Sequence, residues 1–423
     1  MLDRKNAPKF QLPEQIELHE PEKRTLKNRV PLYFINTPQI DAVRLEILMP
    51  TSSHSTNPED ALIPFFTLNM LLEGTKEMTS SELDDFFDFY ASEVEIHTGY
   101  EQQGLALLTT KKHFRNVLPV FRSLFTEATF PEKELNKRKS QKKLTINLQF
   151  EQTGARSNQL IRKVLFGPNH PFGYISEENH VDQITCTAIR DYYNRFFRIS
   201  PEIFVTGNLG DREFADIDRW FGDLPYIESD FLLPELEPYD KKRLYESRPN
   251  AVQSSIRLGK VLIPKSNPDF FGLMIANTAL GGYFGSRLVK NIREEKGFTY
   301  GISSFLGSLK STDYWIVLAD IKEGFAEQTI QEIYLELERL ASYPMSKEEL
   351  LTIRNYLVGN LLAQFSSPFD LMTRFKRVHL QGLDFDFYEK QLHFIKHFSA
   401  EEIMEKTKSY FKAESIKEVI VGP

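Results

Sequence analysis

The apolar positions of this chain change their period several times, and each change marks an element. After a polar lead-in, Pro31 to Ile35 and Ala42 to Leu48 read as strands. Pro64 to Leu72 is apolar almost throughout, as a buried helix would be, and Gly74 stops it; Thr79 or Ser80 can then cap a helix over Leu83 to Tyr90. Glu93 to Thr98 and Gly104 to Thr109 alternate or run apolar between turn residues, as paired strands do. Two helices follow, over Asn116 to Thr126 and from about Pro131 to Phe150. A loop containing GPNHPFG, a helix near Ala188 to Phe197 and a strand over Glu202 to Thr206 close this half.

The second half repeats that order. FPEKEL, ending at Leu135, returns as MSKEEL, ending at Leu350, 215 residues on. ITCTAIRDYYNRFF returns as FSAEEIMEKTKSYF with Ile189 matched to Ile403, and the strand ending in Gly207 returns as the strand ending in Gly422. Arg44 answers Arg257 at a displacement of 213. A nearly constant displacement over most of each half predicts two copies of one α+β unit, residues 1–232 and 251–423. The Pro- and charge-rich stretch 233–250 should join them as an exposed, extended linker.

One stretch of the second half holds candidate chemistry: LGGYFGSRLVKNIREEKGFTY, Leu280 to Tyr300. Gly281 and Gly282 break an apolar helix, and Ser286 can cap a new one whose apolar positions Leu288, Val289 and Ile292 fall on one side. Gly297 should end it, with a strand over Phe298 to Phe305 beyond. Arg293 then lies in a last helical turn and Tyr300 at a strand entrance. A guanidinium fork and a neutral phenol both donate hydrogen bonds to a carbonyl oxygen or to the oxyanion it becomes. Neither can break a bond, so another group must supply the attacking water.

Composition narrows the classes. A chain of 423 residues with 41% hydrophobic residues and 34 Phe exceeds one core and can bury a large one. The net charge of −7 argues against nucleic acid; the basic run NKRKSQKK, Asn136 to Lys143, offers an anion patch as one reading and a solvated helix face as the simpler one. The first residues carry no apolar run behind their charges and no later segment reaches membrane-spanning length, so the expectation is a cytoplasmic protein without a membrane partner. The single cysteine, Cys186, excludes an internal disulfide and reads as a small buried side chain on a helix. His393 and His397 have the one-turn spacing of a metal pair, but Lys396 stands where a base is needed, and a solvated helix face is the simpler reading. His170 suits support of its turn, and His97 and His113 have no partner spacing. The chain has no nucleophile-plus-base pattern, no phosphate-cradling loop and no dinucleotide fingerprint.

Three segments, LLEGTKEMTSSEL and LFGPNHPFG in the first half and GGYFGSRLVKNIREEKGFTYGI in the second, resemble the M16 (pitrilysin or insulinase-like) metallopeptidases of the short, two-domain type. The last is the most specific. The resemblance covers nearly the whole chain and implies an α+β fold: two homologous domains, each an antiparallel-rich sheet backed by helices. It also implies pairing of two such chains around a peptide chamber. An active subunit of the family carries HxxEH before the glycine matched by Gly74, two histidines holding zinc and the glutamate activating water. Here the histidine positions are Phe65 and Asn69, and the glutamate position is Leu68. The family's further glutamate ligand lies on the following long helix, yet no Asp or Glu occurs between Glu134 and Glu151. Phe and Leu have no lone pair for a metal.

In paired enzymes of this family one subunit brings zinc and the other an arginine and a tyrosine, and Arg293 and Tyr300 match the second role by motif position. The resemblance therefore implies a zinc-less subunit of a heterodimeric peptidase, inactive alone, with no cofactor of its own. Its partner would be an HxxEH-bearing subunit with zinc, its substrate an unfolded peptide, and in isolation it could form a homodimer. Two alternatives remain open at this stage: a scaffold of the same fold without catalytic contribution, and a stand-alone metallopeptidase using other ligands.

Overall fold

The computed structural model of the chain describes residues 16–51, 60–195, 197, 200–226, 235–310 and 312–423. The first two residues of the expected linker, 233 and 234, lie outside them, as does residue 196 near the end of the expected helix. The chain divides into two compact units, each assembled from several segments. The larger comprises Pro21–Val261, Leu318–Ala326 and Glu414–Pro423; the smaller comprises Met1–Glu20, Leu262–Val317 and Glu327–Ala413.

The first sheet contains β1 Glu22–Thr25, β2 Pro31–Asn36, β3 Ala42–Pro50, β4 Glu93–Thr98, β5 Gln102–Thr110 and β6 Glu202–Gly207, in the order β1-β2-β6-β3-β5-β4. Only β2 and β6 run parallel; the other neighbours are antiparallel. In β3 the two-residue period buries Val43, Leu45, Ile47 and Met49 in the core. Beside them, Arg44 bridges Glu46 and Glu95, with a fork-to-fork pair to the latter at 2.7 and 3.0 Å. The helices that cover this sheet follow the sequence expectation closely: α1 Ile63–Met70, α2 Ser80–Phe89, α3 Lys111–Thr126 and α4 Glu132–Glu151. Thr79 caps α2 in a reciprocal box with Glu82. Phe114, Phe121 and Phe125 of α3 are wholly buried, and Phe121 meets Phe125 edge-on at 5.3 Å.

The second sheet contains β7 Arg243–Ser247, β8 Gln253–Leu262, β9 Thr299–Ser308, β10 Asp313–Lys322 and β11 Lys417–Gly422, in the order β7-β11-β8-β10-β9. This is the order β2-β6-β3-β5-β4 over again, so the internal repeat is a repeat of topology. The register corrects one detail. A Cβ on Gly207 would lie 3.1 Å from Val43 Cα, and one on Gly422 would lie 2.7 Å from Ser254 Cα. Both glycines let their strand approach the antiparallel neighbour, and they align Val43 with Ser254, a displacement of 211. Arg44 therefore corresponds to Ser255, and Arg257 to Glu46. The two arginines lie on the same face two residues apart, because an alternating strand looks alike after a slip of two.

Two of the departures from the expectation bear on the second sheet. α5 Thr153–Phe166, where no helix was expected, buries Ser157, Leu160, Ile161, Val164 and Leu165 and packs against β11. The expected linker is not simply exposed: its residues 243–247 form β7, parallel to β11. Arg156 of α5 ion-pairs with Glu246 of β7 at 2.9 Å, and Arg243 with buried Glu418 at 2.6 Å. These pairs draw a polar stretch onto a sheet edge.

Candidate functional site

In the larger unit, two of the three positions expected to have lost their metal ligands line a cavity of about 510 Å³. Phe65 and Leu68 of α1 and Lys142 and Ile146 of α4 form part of its wall. The Lys142 ammonium stands 4.1 Å from the Phe65 ring centroid. Burial lowers its pKa from the usual lysine range. Asn69 does not line the cavity; its side-chain amide donates to the Phe65 carbonyl of its own helix at 2.8 Å. Leu68 is 1% exposed. This donor set does not fit zinc: a hydrocarbon ring, a hydrocarbon side chain and an amide turned onto the backbone stand beside a cation that would repel a dication. Among the described residues no group of three or more His, Cys, Asp or Glu could hold a metal ion.

The loop below this cavity is built as the sequence suggested. His170 is buried, accepts a hydrogen bond from the Phe172 N–H at 3.2 Å and stacks on Phe166. On the helix Phe387–His397, the rings of His393 and His397 lie 4.4 Å apart, and His397 Nδ1 is 2.7 Å from the His393 carbonyl oxygen. A nitrogen held by the backbone is not offered to a metal.

Arg293 and Tyr300 belong to the smaller unit. The segment Val289–Glu295 forms wide, π-type turns rather than the expected α-helix, and Thr278–Gly282 does the same. The Lys296 N–H reaches the Asn291 carbonyl, five residues back. Such insertions are frequent at functional sites. Among the described residues Ser286 Oγ has no hydrogen-bond partner, and it does not cap the helix, a correction to the sequence reading. Gly297, at φ +64°, ends the helical segment, and β9 begins at Thr299.

The turns bearing Arg293 are anchored from behind. Asn291, buried, donates to Glu336 at 2.7 Å and to Glu332 at 3.0 Å, and Arg287 forms two hydrogen bonds of 2.8 Å with Glu349. A Cβ on Gly281 would stand 2.7 Å from Ser304 Oγ of β9, so the glycine is required for this close approach. Burial, with the Glu349 charge adding to it, raises the pKa of Tyr283 and keeps the phenol neutral. On this frame the Arg293 guanidinium makes no hydrogen bond to a described residue and lies 4.7 Å from the ring centroid of Phe284. Tyr300 is 95% exposed and Phe284 68% exposed. Two unengaged donors thus project from a braced segment.

A protein-family model described as the peptidase M16 inactive domain matches residues 183–357, a span that includes the glycine turn, Arg293 and Tyr300. Over that span the chain is similar to the M16 inactive domain, and its sequence contains no HxxEH. This M16-like chain is 24% identical over 355 residues to a Bacillus subtilis protein named "Uncharacterized zinc protease YmxG", covering 83% of this chain and 86% of that one. The solved structure of a peptidase M16 inactive domain from Pseudomonas fluorescens matches at a TM-score of 0.84 and 17% identity, over 95% of this chain and 98% of that chain. A chain of complex III2 from Candida albicans matches at 0.73 and 15% identity, over 95% of each chain. At these identities the structural matches establish a shared fold.

Two side chains of this M16-like protein gain significance only from the structure. Lys142 sits in the basic run expected to be a solvated face, yet it is one and two turns from the buried Ile146 and Leu135 on α4. That spacing placed it on the inward stripe. Phe284 reads as a turn residue, and its contact with Arg293 had no local signal. Among the described residues no helix is long and apolar enough to cross a membrane.

Proposed function

We propose that this chain is the zinc-less, non-catalytic subunit of a heterodimeric M16-like peptidase of the cytoplasm. It binds an unfolded peptide and presents Arg293 and Tyr300 to a scissile carbonyl whose bond is cut at zinc on an HxxEH-bearing partner. The observation that carries the reading is the contrast within one chain: Phe65, Leu68 and Asn69 offer no metal site, whereas Arg293 and Tyr300 keep unengaged donors on a braced segment. The guanidinium supplies charge-assisted hydrogen bonds to the carbonyl oxygen, and the phenol supplies a neutral one. Both interactions strengthen as negative charge develops on that oxygen.

The match of the family's inactive-domain model across the Arg293 segment supports a non-catalytic role. A second reading, a scaffold without catalytic contribution, is favoured by the likeness to a chain of a multisubunit assembly, complex III2. Co-expression with an HxxEH-bearing subunit, followed by metal analysis and peptide hydrolysis, separates the readings. Divided labour requires no zinc and no hydrolysis by this chain alone, hydrolysis by the mixed complex, and a loss on Arg293→Ala. Turnover unchanged by Arg293→Ala and Tyr300→Phe would leave the scaffold. Stoichiometric zinc with chelator-sensitive hydrolysis in the isolated chain would overturn both.

A further inference from the structure

The cavity over Phe65 and Leu68 has a chemical character of its own. Two cations, Lys142 and Arg162, stand on its wall, and neither donates a hydrogen bond to any described residue. Arg162 packs its guanidinium 5.6 Å from the Tyr100 ring centroid, and its Nε is buried without a partner among the described residues. Asp60 is the one acid among the described lining residues. A buried Gln103 also contributes to the wall; its amide N–H donates to Tyr192 at 2.7 Å, but its Oε1 has no donor among the described residues. Orphaned buried donors and acceptors are costly, and a native protein satisfies most of them.

We propose that this cavity is a subsite for the C-terminal carboxylate of a bound peptide. Lys142 and Arg162 complement the carboxylate, Gln103 Oε1 accepts the N–H of the terminal residue, and Phe65, Leu68 and Ile146 hold that residue's apolar side chain. The size suits one or two residues rather than a folded partner, lying within the range of small-ligand pockets. The adjoining hydrocarbon wall and the orphaned acceptor favour an amino-acid carboxylate over a fully polar anion such as phosphate. The inference rests on the peptide-binding reading above only for the source of the carboxylate. In this view the lost metal site has become a cationic subsite on the same helices.

The test uses the full chain and a fluorescent pentapeptide ending in leucine, prepared with a free carboxylate and as its amide, with affinities read by anisotropy. The acid should bind roughly tenfold to a hundredfold more tightly, the effect of one or two charge-assisted hydrogen bonds. Lys142→Met and Arg162→Gln should each erode that preference while leaving the amide's affinity nearly unchanged. Both variants are checked for an unaltered melting transition, and Lys142→Met, which removes a desolvated cation, keeps the test independent of folding defects. Equal affinity for acid and amide, or a preference untouched by both variants, overturns the proposal; so does inorganic phosphate that displaces the acid peptide at comparable concentration. Because the assay needs no partner, its failure beside an Arg293-dependent mixed complex would refute this subsite alone.

Discussion

Replacing Arg293 by alanine should separate stability from function. The side chain makes no hydrogen bond and no ion pair to a described residue; its guanidinium lies 4.7 Å from the ring centroid of Phe284. A cation–π contact at so exposed a position contributes about 0.5–1 kcal/mol. Asn291 and Arg287, not Arg293, tie the segment to Glu332, Glu336 and Glu349. The melting temperature of the variant should therefore fall by no more than about 2 °C. If Arg293 donates to the developing oxyanion, turnover of the mixed complex should fall roughly 10²-fold or more, the usual cost of removing one preorganised donor. The loss should appear in kcat and kcat/KM alike, because the interaction matures in the transition state. Arg293→Lys retains charge but not the planar fork, and should recover only part of it. The assay is hydrolysis of a quenched fluorescent peptide by the purified mixed complex, with thermal melts of the same samples. A loss confined to KM, or a melt lowered by many degrees with proportional loss of activity, would refute the reasoning.

Three further outcomes are expected. Asp313, its pKa pushed up to about 6 by burial, and Lys265, pushed down to about 8 by burial with Arg377 adding, belong to the smaller unit and should shape its pH profile. The Asp313 contribution is full below its unfolded value near 3.8 and is lost as pH rises through 6; the Lys265 contribution is lost as pH falls from above 10.5 through 8. Urea midpoints should show both limbs, with Asp313→Asn flattening the acidic one; an unchanged acidic limb would refute the assignment. Gly422→Ala should destabilise more than Gly207→Ala, because its new Cβ meets Ser254 Cα at 2.7 Å against 3.1 Å to Val43 Cα. A cost of about 1–3 kcal/mol is expected for the former, and equal midpoints would count against the register deduced here. Lys142→Met should not lower the melting temperature near neutral pH, and any gain should shrink as pH rises toward the ordinary lysine value of 10.5, because burial lowers the Lys142 pKa below it; a marked loss would mean the ammonium is satisfied in the protein.

What the sequence made legible, and what it concealed, follows from the range of the interactions. The capping box of Thr79 and Glu82, the alternation of β3 and the stop at Gly297 are local, so each shows in a few consecutive residues. The repeat was legible because two copies of one topology retain helix starts and strand ends. Its register was not, since the Arg44–Arg257 match satisfies the same two-residue period as the true alignment, which depends on how Gly207 and Gly422 approach neighbouring strands. β7 was hidden for a related reason: Arg243, Glu246 and Arg248 look like solvent-facing charge until their partners Glu418, Arg156 and Phe150 are brought from far along the chain. The candidate sites divide in the same way. Arg293 and Tyr300 stand in a continuous motif that names its own residues. The cavity over Phe65 draws Gln103, Lys142 and Arg162 from three elements, and a lysine within a basic run gives no local sign that it faces inward. The helical spacing from Leu135 through Lys142 to Ile146 did contain that sign. A charge on the buried stripe of an otherwise solvated helix therefore merits the question of which anion it meets, and in this chain no described residue supplies one.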